Sequence, residues 1–158
     1  MKIGVISDTH GDVQSLKQVV AAAGEVDYWL HAGDHCKDGY LLGELTNLPV
    51  TVVAGNCDRT LSVLPDEYVE IAGKTIWVTH GHRHNVKYGV QELVWWGKQY
   101  GADIVVFGHT HMPYNAWHEG LLLLNPGSPR LPRGGSFPSC GIIHILEDGI
   151  IEANIIEL

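Results

Sequence analysis

The chain has 158 residues, 45% hydrophobic and 18% charged, and a formal net charge of −8. That size and composition predict one globular domain over 1–158 with a core of its own. The acidic balance excludes nucleic-acid or membrane binding through bulk surface charge, so neither a stable nucleic-acid complex nor a membrane partner is expected. Cys36, Cys57 and Cys140 are odd in number and lack CxxC spacing, which is not a disulfide framework. With no signal-peptide pattern and no apolar run near ~18 residues, the expected location is cytoplasmic.

The elements follow from short periodic runs. Residues 2–7 read as a buried strand. Residues 13–23 read as a helix with Leu16, Val19, Val20 and Ala23 on one face, capped by Asp12 and ended by Gly24. A second strand is expected at 28–32, a short helix at 40–45 and a third strand at 50–54. This β-α-β-α-β order favours parallel strands. Two strands at 67–71 and 75–79 flank Ala72-Gly73-Lys74 as a hairpin. A helix is expected at 89–100, with Trp95 and Trp96 packed into the core, and a buried strand at 104–107. The remaining strands (114–118, 121–124, 141–146, 150–156) read as antiparallel, the last two joined at Asp148-Gly149. The Pro- and Gly-rich stretch 125–139 reads as a surface loop, long enough to suspect a function.

Ten histidines in a small acidic chain need an explanation. Five strand-like runs each end in potential metal ligands: Asp8-Thr9-His10, Gly33-Asp34, Gly55-Asn56-Cys57-Asp58, His80-Gly81-His82 and Gly108-His109-Thr110-His111. Loops at the carboxyl ends of strands in an open α/β sheet converge on one edge. Asp8 and His10, like His109 and His111, are two residues apart. In extended chain that spacing points both side chains the same way. The glycines before several ligands allow close backbone approach. Carboxylate, imidazole and amide donors suit Mn²⁺, Fe²⁺ or Zn²⁺. So many donors exceed what one catalytic ion needs and fit two ions about 3.5–4 Å apart.

These ordered motifs, together with Asn125-Pro126-Gly127-Ser128, resemble the calcineurin-like metallophosphoesterases, and most of all their small prokaryotic phosphodiesterase branch, whose Asn motif reads GNCD as here at 55–58. The resemblance covers nearly the whole chain. It implies an α/β fold of two mixed β-sheets packed as a sandwich flanked by helices. It implies that Asp8, His10 and His111 hold a first ion, that Asn56, His80 and His109 hold a second, and that Asp34 bridges both. His82 would be a further ligand or phosphate contact near the first ion. The implied cofactors are two divalent ions, Mn first, with Zn, Fe or Ni as other choices. The implied reaction is hydrolysis of a small phosphodiester by a hydroxide bound to both ions.

Many family members carry His where this chain has Cys57, and that His is thought to help the leaving group depart. A thiol with an ordinary pKa of about 8.5 is a poor substitute, so a preference for good leaving groups, aryl ones especially, is expected. Asp58 and His82 could take part of the role, while the plain alternative for Cys57 is a small buried packing residue. Arg59 could clamp phosphate, and His84, Arg130 and Arg133 could reach an anionic substrate, although a solvated or structural role is the simpler reading for each. His31, His118 and His144 read as structural, and His35 is ambiguous. Alternative functions are a phosphomonoesterase (nucleotide or protein phosphatase) and a non-catalytic protein-binding scaffold of the same fold. The expected partner is a small phosphate-ester substrate, with a homodimer as a further possibility.

Overall fold

The structure is a computed structural model and describes residues 1–59 and 62–158. Its strands form two five-stranded mixed sheets. The first has the order β10-β9-β1-β2-β3, and the second β4-β5-β6-β8-β7. In chain order, β1 (Lys2–Ile6), α1 (Val13–Ala23), β2 (Tyr28–His31), α2 (Cys36–Thr46) and β3 (Val50–Val52) make the parallel half of the first sheet. β4 (Asp66–Ile71) and β5 (Lys74–Thr79) form the expected hairpin, followed by α3 (Gln91–Gln99) and β6 (Ile104–Val106). β7 (Pro113–His118) and β8 (Leu121–Pro126) complete the second sheet, while β9 (Ser139–Ile145) and β10 (Ile151–Glu157) return to the first.

Strand alternation builds the layers. Ile3 and Val5 of β1, Ile76 and Val78 of β5, Ile104 and Val106 of β6, and Leu122 and Leu124 of β8 all face the interior between the sheets. Residues of opposite parity face outward beneath helices. Trp77, Val105, Leu121 and Leu123 meet Leu93 of α3, and Ile6 and Trp29 meet Leu16 and Val19 of α1 and Leu42 of α2. Each strand therefore keeps the two-residue period that separates one face from the other.

Three details depart from the expectations. Strand β8 is antiparallel to β7 but parallel to β6, and β6 is parallel to β5, so the later strands are not uniformly antiparallel. Strand β8 is buried on both faces, as a central strand must be, whereas the edge strand β7 alternates. Trp95 and Trp96 are exposed at 54% and 36% instead of packing in the core. Helix α3 buries Leu93 and Gly97, four residues apart. A β-carbon on Gly97 would stand 2.8 Å from Leu121 and 2.9 Å from Val105, so the helix lies too close to the sheet for a large side chain there. The tryptophans fall off that narrow stripe. Finally, α2 begins at Cys36, four residues before the expected start. Its cap residue His35 makes no side-chain capping bond, so no cap signal marks the boundary.

No helix among the described residues is long and apolar enough to cross a membrane.

Candidate metal centre

The carboxyl ends of β1, β2, β5 and β6 meet across the top of the sandwich. One ligand atom each from Asp8, His10, Asp34 and His111 lies within 4.8 Å of the others. His111 Nε2 stands 3.2 Å from Asp8 Oδ1 and 3.4 Å from His10 Nε2. His80 approaches from β5, its Nε2 3.4 Å from Asp34 Oδ1 and 3.9 Å from Asp8 Oδ1. The His109 ring is 5.2 Å from that of His80. Asn56 lies on an exposed turn, where its amide donates to Cys57 Sγ at 3.5 Å.

The bonding around these groups prepares them for a cation. Nδ1 of His80 faces the carbonyl oxygen of Ala32 at 2.7 Å, and Nδ1 of His111 faces that of Leu131 at 2.7 Å. A carbonyl only accepts, so each Nδ1 carries the proton. In the neutral ring Nε2 then turns its lone pair into the site, the arrangement that carbonyl partners impose on metal-ligating histidines. Asp8 Oδ1 and His80 Nε2 are buried and have no hydrogen-bond partner. Such orphaned atoms are costly in a dry interior unless a cation is bound there. The residues present therefore fit a divalent metal.

Electrostatics agree. Burial raises the proton affinity of Asp8, but His111 and His80 outweigh it and hold the carboxyl below the ordinary carboxylate range. Burial acts the same way on Asp34, where His80 and the Cys57 N–H prevail and hold it well below that range. Burial disfavours charge on His80, yet Asp34 and Asp8 raise its affinity for a proton. The same two carboxylates attract any other cation. His109 is pushed down to about 4 by burial, His80 and Lys87, so it is neutral and free to ligate at ordinary pH.

The first 148 residues match the calcineurin-like phosphoesterase superfamily domain. The chain belongs to that superfamily. It is 35% identical over 155 residues to a probable metallophosphoesterase of Bacillus subtilis, YsnB, covering 94% of this chain and 86% of that protein. It is 26% identical over 168 residues to the phosphodiesterase YfcE of Escherichia coli, covering 90% and 87%. A crystal structure of a predicted phosphoesterase from Streptococcus pneumoniae superposes with a TM-score of 0.83 at 29% identity, covering 98% of this chain and 87% of that one. This chain is a metal-dependent phosphoesterase with the metallophosphoesterase fold.

How this metallophosphoesterase holds its ligands differs from the expectation in one respect. The paired ligands do not sit in extended chain. Asp8, His10, Asp34, His109 and His111, five of the seven candidate ligands, have φ between 51° and 69°. These left-handed residues at the strand ends fold each loop back over the sheet edge, a strain that sites retain when their surroundings enforce it. Glycines make the fit possible. A β-carbon on Gly55 would lie 2.2 Å from Asp34 Oδ1, and one on Gly108 would lie 1.9 Å from Ser7 Oγ and 2.7 Å from Asp8 Oδ2.

The stretch 125–139 is not a plain surface loop. Its first five residues are buried. Asn125 Nδ2 donates to the carbonyl of Gly108 at 2.9 Å, and Ser128 Oγ donates to that of Asp8 at 2.8 Å. The Leu131 carbonyl orients His111. Asn125 and Ser128 are thus supports for the ligand loops. His31 is another, since Gly33 N–H donates to its Nδ1 at 3.2 Å, which leaves Nε2–H for Thr9 Oγ1 at 3.1 Å. Burial pushes His31 down to about 4. None of these supports carries a ligand-like spacing; only the NPGS resemblance marked two of them.

The other expected site residues are placed as follows. Asp58 accepts from the N–H of Cys36 and of Gly55, one at each carboxylate oxygen and both at 2.8 Å. It ties the Asp34 loop to the Asn56 loop. Cys57 is exposed instead of a buried packing residue; its N–H donates to Asp34 Oδ1 at 2.8 Å. Burial and Asp34 push its thiol up to about 11, so it stays protonated at neutral pH. His82 lies beside His80 and His109, with centroids 5.3 and 6.0 Å away. That is the side of the second ligand set, not the first. His84 packs edge-on against Trp77, Arg130 pairs with Asp12 at 3.4 Å, and His118 bonds Tyr114. His144 faces solvent. His35 and Arg59 line an open cleft of about 280 Å³ with Lys37 and Cys57; Lys37 had no motif to mark it.

Proposed function

We propose that the protein hydrolyses small phosphodiesters with two divalent ions. The observation that carries this reading is the cluster of Asp8, His10, Asp34 and His111 donor atoms within 4.8 Å, with His80 and His109 set beside it. Asp34 belongs to both groups of ligands, which suits a bridging carboxylate. Asp8, His10 and His111 would hold one ion, and Asn56, His80 and His109 the other. The mixed oxygen and nitrogen donor set favours Mn²⁺, with Zn²⁺, Fe²⁺ or Ni²⁺ as substitutes. Bound there, the ions would lower the pKa of water and offset charge building on the phosphoryl group.

The chain's own residues supply orientation and charge. Asp8 and Asp34 are ionised across the working pH range and set the cation demand of the site. The Ala32 and Leu131 carbonyls fix the ring nitrogens that face inward. His82, half-buried beside His80 and His109, would contact a phosphoryl oxygen. Similarity to YfcE, a phosphodiesterase, favours the diester over the monoester.

The test is to strip the protein with chelator and compare an aryl phosphodiester with the matching monoester, with and without Mn²⁺. Metal-restored activity that is higher on the diester supports the reading. Higher activity on the monoester replaces it with a phosphatase, and no activity with any divalent ion removes catalysis.

A further inference from the structure

Next to the imidazole side of the metal centre lies an open cavity of about 530 Å³, unlike the polar cleft around His35, Lys37 and Arg59. Tyr88, Phe107, Met112, Pro113 and Tyr114 line it, with Lys87, Gln91 and Thr110 as its polar members. The cavity adjoins the histidine edge. A small cleft containing His82 and His109 shares Val86, Lys87 and Tyr88 with it. Met112 follows His111 directly in the chain. A group attached to a phosphate held at the histidines would therefore enter this cavity.

The lining states what that group is. Tyr88 is 92% exposed, and among the described residues no aromatic ring packs against it. A large apolar ring left standing in water beside a catalytic edge is a stacking platform in waiting. Met112 and Pro113 add a soft thioether and a proline to the lining, which accept a flat ring without a polar demand. Lys87 lines both the cavity and the cleft that contains His82 and His109, so it offers a cation to a phosphate whose substituent enters the cavity. The volume suits one aromatic or heteroaromatic ring and its linker. An alkyl diester would leave most of it wet.

We propose that this cavity is the subsite for an aromatic substituent of the phosphodiester, an aryl or nucleobase-bearing alcohol, stacked on Tyr88 and steered by Lys87. This rests on the phosphodiesterase reading above but assigns a substrate class that the metal ligands do not.

The experiment measures inhibition of the Mn²⁺-loaded enzyme, on one aryl diester reporter, by the monomethyl esters of phenylphosphonate and of methylphosphonate. Both carry one negative charge and neither offers a good leaving group. The phenyl compound should bind about 10-fold more tightly, within the range seen when a ring loses its aromatic platform. Tyr88→Ala should collapse that ratio toward one, and Tyr88→Phe should keep it. Met112→Trp, which puts a bulky side chain into the cavity lining at an exposed position, should collapse it independently. Equal inhibition by the two compounds in the parent protein overturns the subsite while leaving the phosphodiesterase intact, as does a ratio that survives both Tyr88→Ala and Met112→Trp. Absence of any reporter hydrolysis would instead overturn the reading beneath it.

Discussion

The two sheets bring different chemistry to the same edge. The first sheet supplies both carboxylates, Asp8 and Asp34, together with His10 and Asn56. The second supplies imidazoles alone, His80, His82, His109 and His111. One half therefore sets the charge of the site, and the other sets directions, since its rings are aimed by carbonyls at Ala32 and Leu131. Bonds across the seam join them: Asp8 Oδ2 accepts from His109 N–H at 3.0 Å, and Ser128 Oγ donates to the Asp8 carbonyl. Neither sheet is a site alone, and losing charge should cost more than losing one direction.

The largest effect is expected at Asp34, the proposed bridging carboxylate. Asp34→Ala should lower metal-dependent kcat by about three orders of magnitude, the scale of losing a group that offsets transition-state charge. Full activity in that variant would refute its bridging role. Removing a direction should cost less: His109→Ala is expected to weaken metal affinity by about 10- to 100-fold, read by titrating metal into stripped protein. If His109→Ala costs more than Asp34→Ala, the division of labour between the sheets is wrong.

Cutting the seam without touching a ligand comes next. Ser128→Ala removes the donor to the Asp8 carbonyl and the acceptor for the Arg130 and Leu131 N–H groups. It should cost about 1–3 kcal/mol of stability by denaturant unfolding and weaken metal binding by about 10-fold. An unchanged metal titration would make the 125–139 stretch a passive cover.

A pH experiment sharpens the comparison from the side of the supports. His31 has a folded pKa of about 4, below its unfolded value of 6.5. Between those values the unfolded chain binds more protons, so the stability His31 contributes is complete above pH 6.5 and is lost as pH falls toward 4. The size is about 3 kcal/mol. His109 acts in the same direction over this range, the two depressed carboxylates do so only below 3.8, and the raised proton affinity of His80 opposes them. Denaturant midpoints of metal-free protein across pH 4–7 should show this slope, and His31→Gln should flatten it. A slope unchanged by that substitution would place the acid sensitivity elsewhere.

The smallest effect is expected at Cys57. Its thiol is exposed and its pKa is pushed up to about 11, so it is a weak acid for a departing alkoxide. Cys57→Ala should change kcat for an aryl diester by less than about 3-fold, since an acid this weak contributes little to protonating such a leaving group. Rates should instead climb steeply as the leaving group's pKa falls. A flat dependence would mean that another residue donates the proton.

The sequence made the strand ends legible because a short apolar run that stops at Gly, Asp or His is a local signal. Strand β1, helix α1 and the β4–β5 hairpin needed nothing more. The two mixed sheets came from family resemblance, because strand order depends on contacts distant in sequence: β6 pairs with β8 across β7, which no local pattern encodes. Trp95 and Trp96 were misplaced because helical periodicity does not reveal that Gly97 sets the contact distance. At the site, residue types with ligand chemistry stood out, while their left-handed backbone did not, since extended spacing and a folded turn look alike on paper. Ser128, Asn125 and His31 act through single hydrogen bonds to distant backbone. Asp58 looked like chemistry and turned out to be a tie between loops.

The bond from His109 to Asp8 closes a span of 101 residues, and the one from Ser128 closes 120. Contacts that far apart in sequence are slow to form. A chain emerging from synthesis carries both carboxylates once residue 34 is out, but Asp8 lacks the His109 N–H and the Ser128 hydroxyl until the last third has followed. Its half-built site would bind cations loosely and without selectivity. Metal capture thus becomes a late report that the two sheets have docked, and a metal-sensitive unfolding barrier is the kinetic mark it should leave.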